Sequence, residues 1–203
     1  MTKLRLAFVS LTALAVICVL MLAVGNVRAA AADHVRWDIN HVIFGPPNSI
    51  NPGGFADATA PNNGGRIRIS GSGTFVAPAS GGGSNAATGG GTWQTFNAAG
   101  TPTGSGSYVV RELVEWTFAS FQVGSTNIDN IGNPAQAANG HTYLRIDYDD
   151  GSQGVLGVFC HGPNAPDGIA EGINATKGVV TYTAVAAPAP NVDLNRTVFH
   201  VTK

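Results

Sequence analysis

The chain has 203 residues, with 11 Lys+Arg against 12 Asp+Glu, only 11% charged residues and 27 glycines. Its length suits one ordinary domain. So thin and balanced a charge excludes the basic footprint of a nucleic-acid binder, and the scarcity of Leu, Glu and Lys excludes a bundle of amphipathic helices.

Met1–Arg5 carries Lys3 and Arg5, an uncharged apolar run follows from Leu6 to Gly25, and small residues then offer a cleavage site ending at Ala32. Basic, apolar and small-residue segments in that order read as a secretory signal over 1–32. About 20 apolar residues also suffice to span a bilayer. An uncleaved anchor through residues 6–25 is the alternative, and the only membrane contact expected. Removing 1–32 takes Lys3, Arg5 and Arg28 with it, leaving 8 basic residues against 12 acidic ones, a net charge of −4. Only Cys160 remains, so no internal disulfide forms. The exported domain, 33–203, must be held together by burial, for which it is large enough.

The first predicted strand is Val35–Phe44, with Val35, Trp37, Ile39, His41 and Ile43 on one face. Prolines and glycines over Gly45–Gly54 end it, since they lack donors or break order. Arg66–Val76 alternates cleanly: Ile67, Ile69, Gly71, Gly73 and Phe75 fall on one face, and Arg66, Arg68, Ser70, Ser72 and Thr74 on the other. Ala77–Gly91 is Gly-rich and reads as a flexible loop, because it lacks both the GKS/T ending of a P-loop and the strand-to-helix context of a dinucleotide site. Thr92–Asn97 is a short aromatic strand. Tyr108–Phe118 contains helix-friendly RELVE, but its Val pairs and the WTFASF continuation favour a strand. Tyr108, Val110, Val114, Trp116 and Phe118 then share a face, with Glu112 the single charge among them. Gly124–Gly140 reads as a polar loop.

Thr142–His161 is a hairpin around Asp150-Gly151. Its first strand puts Leu144, Ile146 and Tyr148 on one side and Tyr143, Arg145 and Asp147 on the other; its return, Val155–Cys160, is apolar on both faces. A two- or four-residue loop aligns Val155 and Phe159 with the Leu144 side, and a three-residue loop with a bulge aligns Leu156, Val158 and Cys160. Gly162–Gly168 is a loop, Ile173–Val185 a strand, Ala186–Asn191 a break, and Arg196–Val201 the last strand. Asn174 and Asn195 begin N-x-T tripeptides, which are common by chance and lie in or beside predicted strands. Eight strands without helices predict an all-β domain, an antiparallel β-barrel of about eight strands or a β-sandwich, with the barrel favoured by glycines inside strands.

No motif names a reaction: HExxH, CxxC, GxSxG and a cupin-style HxH are all missing, and no cofactor is expected. Three constellations remain. The hairpin brings His141 near Cys160 and His161, a possible zinc or copper set, although neighbours in a strand point to opposite faces. Glu112 and His41 on otherwise apolar faces, with Arg145 and Asp147 on the hairpin, suggest a polar anchor inside the domain. Asp147, Asp149 and Asp150 crowd the turn but lack the further ligands of a calcium loop, so they read as turn chemistry. The function expected is a secreted, non-catalytic domain binding a small apolar ligand in its interior, held by Trp37, Trp116 and Tyr143 and oriented by Arg145 or Glu112. The alternatives are an isomerase, cyclase or hydrolase using a Glu112/His41 acid–base pair, and a self-associating envelope or extracellular protein joined through sheet edges.

Overall fold

Alternation of apolar and polar residues, broken by Gly, Pro and Asn, dictates short strands throughout this chain. The computed structural model describes residues 31–78, 82–184 and 191–203; the predicted signal segment up to residue 30 and parts of the two predicted breaks at 77–91 and 186–191 lie outside them. Among the described residues there are fourteen strands and no α-helix. They are β1 Asp33–Ile39, β2 His41–Ile43, β3 Ser49–Asn51, β4 Ala56–Thr59, β5 Arg66–Ile69, β6 Ser72–Ala77, β7 Ala87–Phe96, β8 Pro102–Phe121, β9 Ile128–Asp129, β10 Ala137–Tyr148, β11 Gln153–Cys160, β12 Gly172–Lys177, β13 Val180–Ala184 and β14 Thr197–Thr202.

The protein is all-β. Eleven strands form one antiparallel sheet in the order β11-β12-β13-β4-β5-β7-β6-β1-β14-β10-β8, cross-linked by further ladders between β10 and β11 and between β7 and β8. A small sheet, β2-β3-β9, holds a parallel pair, β3 with β9. One side of the large sheet buries a single cluster that includes Trp37, Phe75, Leu113, Trp116, Leu144, Ile146, Leu156 and Phe199. A second, smaller cluster of Ile50, Ala137 and Val198, with Ile131 against it, lies apart.

Several strand boundaries differ from expectation, each for a local reason. Val35–Phe44 breaks at Asn40, whose N–H leaves the ladder to donate to the Arg196 carbonyl at 2.8 Å. The chain beyond it enters the small sheet, so His41 no longer shares the Trp37 face. Arg66–Val76 keeps the predicted faces, and one register runs without a slip from Arg66↔Phe96 to Phe75↔Ala87. The strand bends at Ser70–Gly71, however, so its first half pairs with β4 and its second with β1. The supposedly flexible Gly-rich stretch is strand from Ala87 onward. The stretch predicted as one strand, Ile173–Val185, is over its described residues a hairpin, β12–β13, turning at Gly178–Val179. Part of the predicted loop 124–140 is structured too: β9 pairs with β3, a 3₁₀ turn forms at Pro134–Gln136, and β10 begins at Ala137.

Gly71 makes the bend possible. Its φ of +151° is one that side chains rarely adopt, and a Cβ there would collide with the Tyr108 hydroxyl and the Gly90 carbonyl. Tyr108 uses that hydroxyl to donate to the Ser70 carbonyl at 3.0 Å, tying the corner to β8. Gly71→Ala is therefore predicted to cost about 1–3 kcal/mol, as overpacking usually does. The urea midpoint would fall at an unchanged m-value; a midpoint equal to wild type would contradict the assignment.

The hairpin at β10–β11 closes through a three-residue loop, Asp149-Asp150-Gly151, with Gly151 at φ +84°. Leu144 then faces Leu156 and Thr142 faces Val158, so Leu156, Val158 and Cys160 turn to the core. That is the alignment a three-residue loop requires.

Candidate functional site

The predicted interior set does not assemble. Trp37 is 0% exposed, and Trp116 packs edge-on against Phe75 and Phe199 at centroid separations of 5.4 and 4.8 Å. Both tryptophans are core filling. Tyr143 lies on the opposite side of the sheet, edge-on to Phe159 at 5.7 Å. Arg145 and Glu112 do meet, Nε to Oε2 at 3.4 Å, but their side chains are 58% and 32% exposed. An exposed pair of this kind contributes at most about 1 kcal/mol.

Two β-bulges explain the displacement of Glu112. The β8–β10 register slips between Tyr143 and Leu144 and again between Arg145 and Ile146. Each slip inserts one residue into β8 and inverts its faces. The buried positions consequently run Tyr108, Val110, Leu113, Trp116, and Glu112 and Val114 turn outward. Strict alternation through Tyr108–Phe118 was the wrong period for this strand.

Glu112 and His41 are not brought together. His41, in the small sheet, pairs through Nδ1 with the Asp193 carboxylate, whose other oxygen accepts from the Val42 N–H at 2.7 Å. At the hairpin base, Gly140 faces Cys160 and His141 faces Phe159, so the thiol and the His141 ring project to opposite sides. Cys160 is buried, accepts from Gln122 Nε2 at 3.3 Å and donates to the Thr197 carbonyl at 3.3 Å. Burial, then the nearby Glu171 carboxylate, pushes its pKa well up, which keeps the sulfur a thiol. His161 donates from Nδ1 to the Ile169 carbonyl at 2.6 Å, and His141 sits 3.5 Å from Glu115. Among the described residues no three His, Cys, Asp or Glu side chains are grouped to hold a metal ion.

The acidic tip is engaged in local structure. Asp149 accepts from the Ser107 N–H at 2.7 Å and from Trp93 Nε1 at 3.1 Å, fastening the turn to β7 and β8. Asp150 pairs with Lys177 and caps Ser152, bonds that hold its carboxyl down to about 2. Asp147 pairs with Arg111 at 2.7 Å.

A different constellation forms on the outer side of β1 and β14. Their register sets Arg36 opposite His200 and Asp38 opposite Val198. Arg36 grips Asp38 with two bonds, Nε at 2.7 Å and Nη2 at 2.9 Å, the fork geometry that suits a carboxylate. Asp38 is buried, and that burial raises its pKa despite the guanidinium. The segment after β9 covers this face. Asp129 accepts from the Ile131 and Gly132 N–H groups at 2.9 and 3.0 Å, and from His200 Nε2 at 2.7 Å. Burial pushes the Asp129 carboxyl up, but the bonds from His200 and the two backbone amides outweigh it and leave it lowered.

An ionised Asp129 is an acceptor only, so His200 Nε2 carries the proton of this bond. His200 is 5% exposed and its Nδ1 has no hydrogen-bond partner. The ring lines a cavity of about 400 Å³, whose walls include Arg36, Thr74, Phe75, Ile131 and Gln136. Sequence reading passed over His200 and Asp129. His200 follows the alternation of a final strand, and Asp129 stands 71 residues away in a stretch taken for a loop. The one local signal was a histidine among the apolar residues of TVFHVT. No protein-family model, curated protein or solved structure matches this chain.

Proposed function

We propose that this chain is a secreted, non-catalytic binding domain whose ligand is a small, mostly apolar molecule with one polar head. We place that ligand in the cavity beside His200 rather than among the core tryptophans. The observation that carries the reading is the buried His200 ring, anchored at Nε2 and unpartnered at Nδ1, in the wall of a cavity that also presents Val76 and Ile131. Ligand sites are mostly apolar concavities with a few convergent polar groups, and a buried polar atom without a partner favours a ligand that supplies one.

We read the large sheet as a barrel. In support, antiparallel ladders lead from β10 through β11, β12, β13, β4, β5, β7 and β8 back to β10. A small barrel of this size fills its interior with side chains, which agrees with Leu144, Ile146 and Leu156 as core and leaves binding to the outside. Export rests on the basic, apolar and small-residue order of 1–32.

Native mass spectrometry of the purified protein and thermal shifts with a panel of small aromatic and aliphatic acids and alcohols test this reading. A ligand at a hundred times its Kd stabilises the native state by about 2.7 kcal/mol, a readily measured rise in Tm. Thr74→Trp, which fills the cavity from an exposed position, should abolish the shift. Empty protein by mass spectrometry, with no shift for wild type across the panel, would overturn the assignment.

A further inference from the structure

A second cavity, of about 300 Å³, opens where the small sheet adjoins β14 and the end of β11, lined by residues other than those beside His200. Its walls carry an unusual share of amide side chains, Asn40, Asn48, Gln122 and Asn127, beside one carboxylate, Glu171, and one guanidinium, Arg196. Phe44 and Ile50 supply apolar surface.

The inner wall is short of donors. Asn40 is 3% exposed, and its Oδ1 is buried with no hydrogen-bond partner. Gln122 spends its Nε2 on the Ala138 carbonyl and the Cys160 sulfur, so its Oε1 is the end left to accept. Glu171 is buried, accepting from the Thr197 N–H at 2.8 Å through Oε1 and from the His161 N–H through Oε2. Asn48 turns its own Oδ1 to the Gly45 N–H at 3.1 Å, which leaves its NH₂ as a donor. The cavity thus offers acceptors and donors together.

This chemistry discriminates among ligands. A purely apolar molecule would leave the Asn40 acceptor stranded, which is unfavourable for a buried oxygen. An anion brings acceptors only and leaves the Asn40 and Gln122 oxygens unanswered, and a cation meets Arg196 unfavourably at close range. Hydroxyl groups both donate and accept, so a neutral ring bearing several of them answers every group named, while its carbon face packs on Phe44. A volume near 300 Å³ is at the lower end for ligand sites and admits one such ring. We infer that the cavity lined by Asn40, Gln122 and Glu171 is a binding site for a single neutral sugar unit. The inference is independent of the ligand proposed beside His200.

Saturation-transfer NMR on the purified protein with glucose, galactose and N-acetylglucosamine, each tested singly, reads this directly. At least one sugar should receive saturation on its ring protons. Asn40→Leu, near in shape but without the acceptor, should weaken binding about tenfold, the equivalent of one lost buried hydrogen bond. Asn127→Phe, a change at the partly exposed rim that leaves the buried groups alone, should abolish transfer by blocking entry even if the Asn40 variant folds poorly. Thr74→Trp, in the other cavity, should leave the signal unchanged. The inference is overturned if no sugar of the three receives saturation, or if transfer persists at wild-type strength in the Asn127 variant.

Discussion

Asp129→Ala is expected to destabilise the protein by about 2–4 kcal/mol, a large fraction of the roughly 5–15 kcal/mol that holds a domain together. One carboxylate gathers three donors: His200 Nε2 and the amides of Ile131 and Gly132. The two amides lie where water can replace the lost acceptor, since Gly132 is exposed and Ile131 only partly buried. The imidazole does not have that recourse, because the His200 side chain is 4% exposed. A buried donor left unpaired costs about 1–3 kcal/mol by itself. Losing the clasp also frees the segment carrying Ile131 from its seat against Ile50, Ala137 and Val198.

Asp129→Asn separates these contributions. Its amide oxygen can still accept from the two backbone N–H groups, but its NH₂ then faces Nε2 and forces the proton to Nδ1. The expected cost is smaller, about 1–2 kcal/mol, with the ¹⁵N shifts of the His200 ring exchanging between tautomers. Urea titrations give both values; an alanine variant within about 0.5 kcal/mol of wild type would show that the clasp contributes nothing. The sign with pH follows from the lowered Asp129 pKa. A depressed carboxyl contributes stability above its unfolded value and loses it as pH falls through the folded one, so this contact belongs to the acid limb of the stability curve.

Stability is expected to fall as pH rises from about 4.5 to about 7, and Glu171 is the reason. Burial is the largest influence on it and raises its pKa from 4.5 to about 7, against the bonds from the His161 and Thr197 amides and the charge of Arg196. A carboxyl whose folded pKa is raised holds its proton more tightly in the native state than in the unfolded chain. Its stabilising effect is complete below 4.5 and is lost as pH climbs through about 7. At about 1.4 kcal/mol per unit, the interval amounts to about 3 kcal/mol. Glu171→Gln carries no titrating proton and should flatten this part of the profile, at the expense of turning an NH₂ toward one of the two backbone donors. The quantity to measure is the difference between the wild-type and Glu171→Gln profiles across that interval, because it cancels the contribution of every group the two proteins share. A difference constant with pH would sink the prediction.

Both expectations rest on contacts that could not be read from the chain alone, and the reason is the same in each. Local rules work on neighbours. The alternation in Arg66–Val76, the Asp-Gly turn of the hairpin and the aromatic run after Gly91 each state their own conformation, because side-chain period and turn chemistry act over a few residues. The all-β class followed from these, and so did the three-residue option for the hairpin loop with Leu156 and Val158 inward. What failed was any inference that carried a face across a break. A bend at Gly71 spared the faces of its strand, but the Asn40 break removed His41 from the Trp37 face, and two bulges in β8 turned Glu112 outward.

The candidate sites lie further out of reach. His200 and Asp129, Asn40 and Arg196, Glu171 and Thr197 are joined only by the order in which strands pair, and eight predicted strands admit many orders. Composition and periodicity by themselves determined an all-β domain without disulfides and with sparse charge, since burial, charge and turn formation are properties of residues and short segments. The tertiary structure alone decided which polar groups are buried together and left partly unpaired, because that depends on strand order and on single-residue slips in register, and no local preference encodes either.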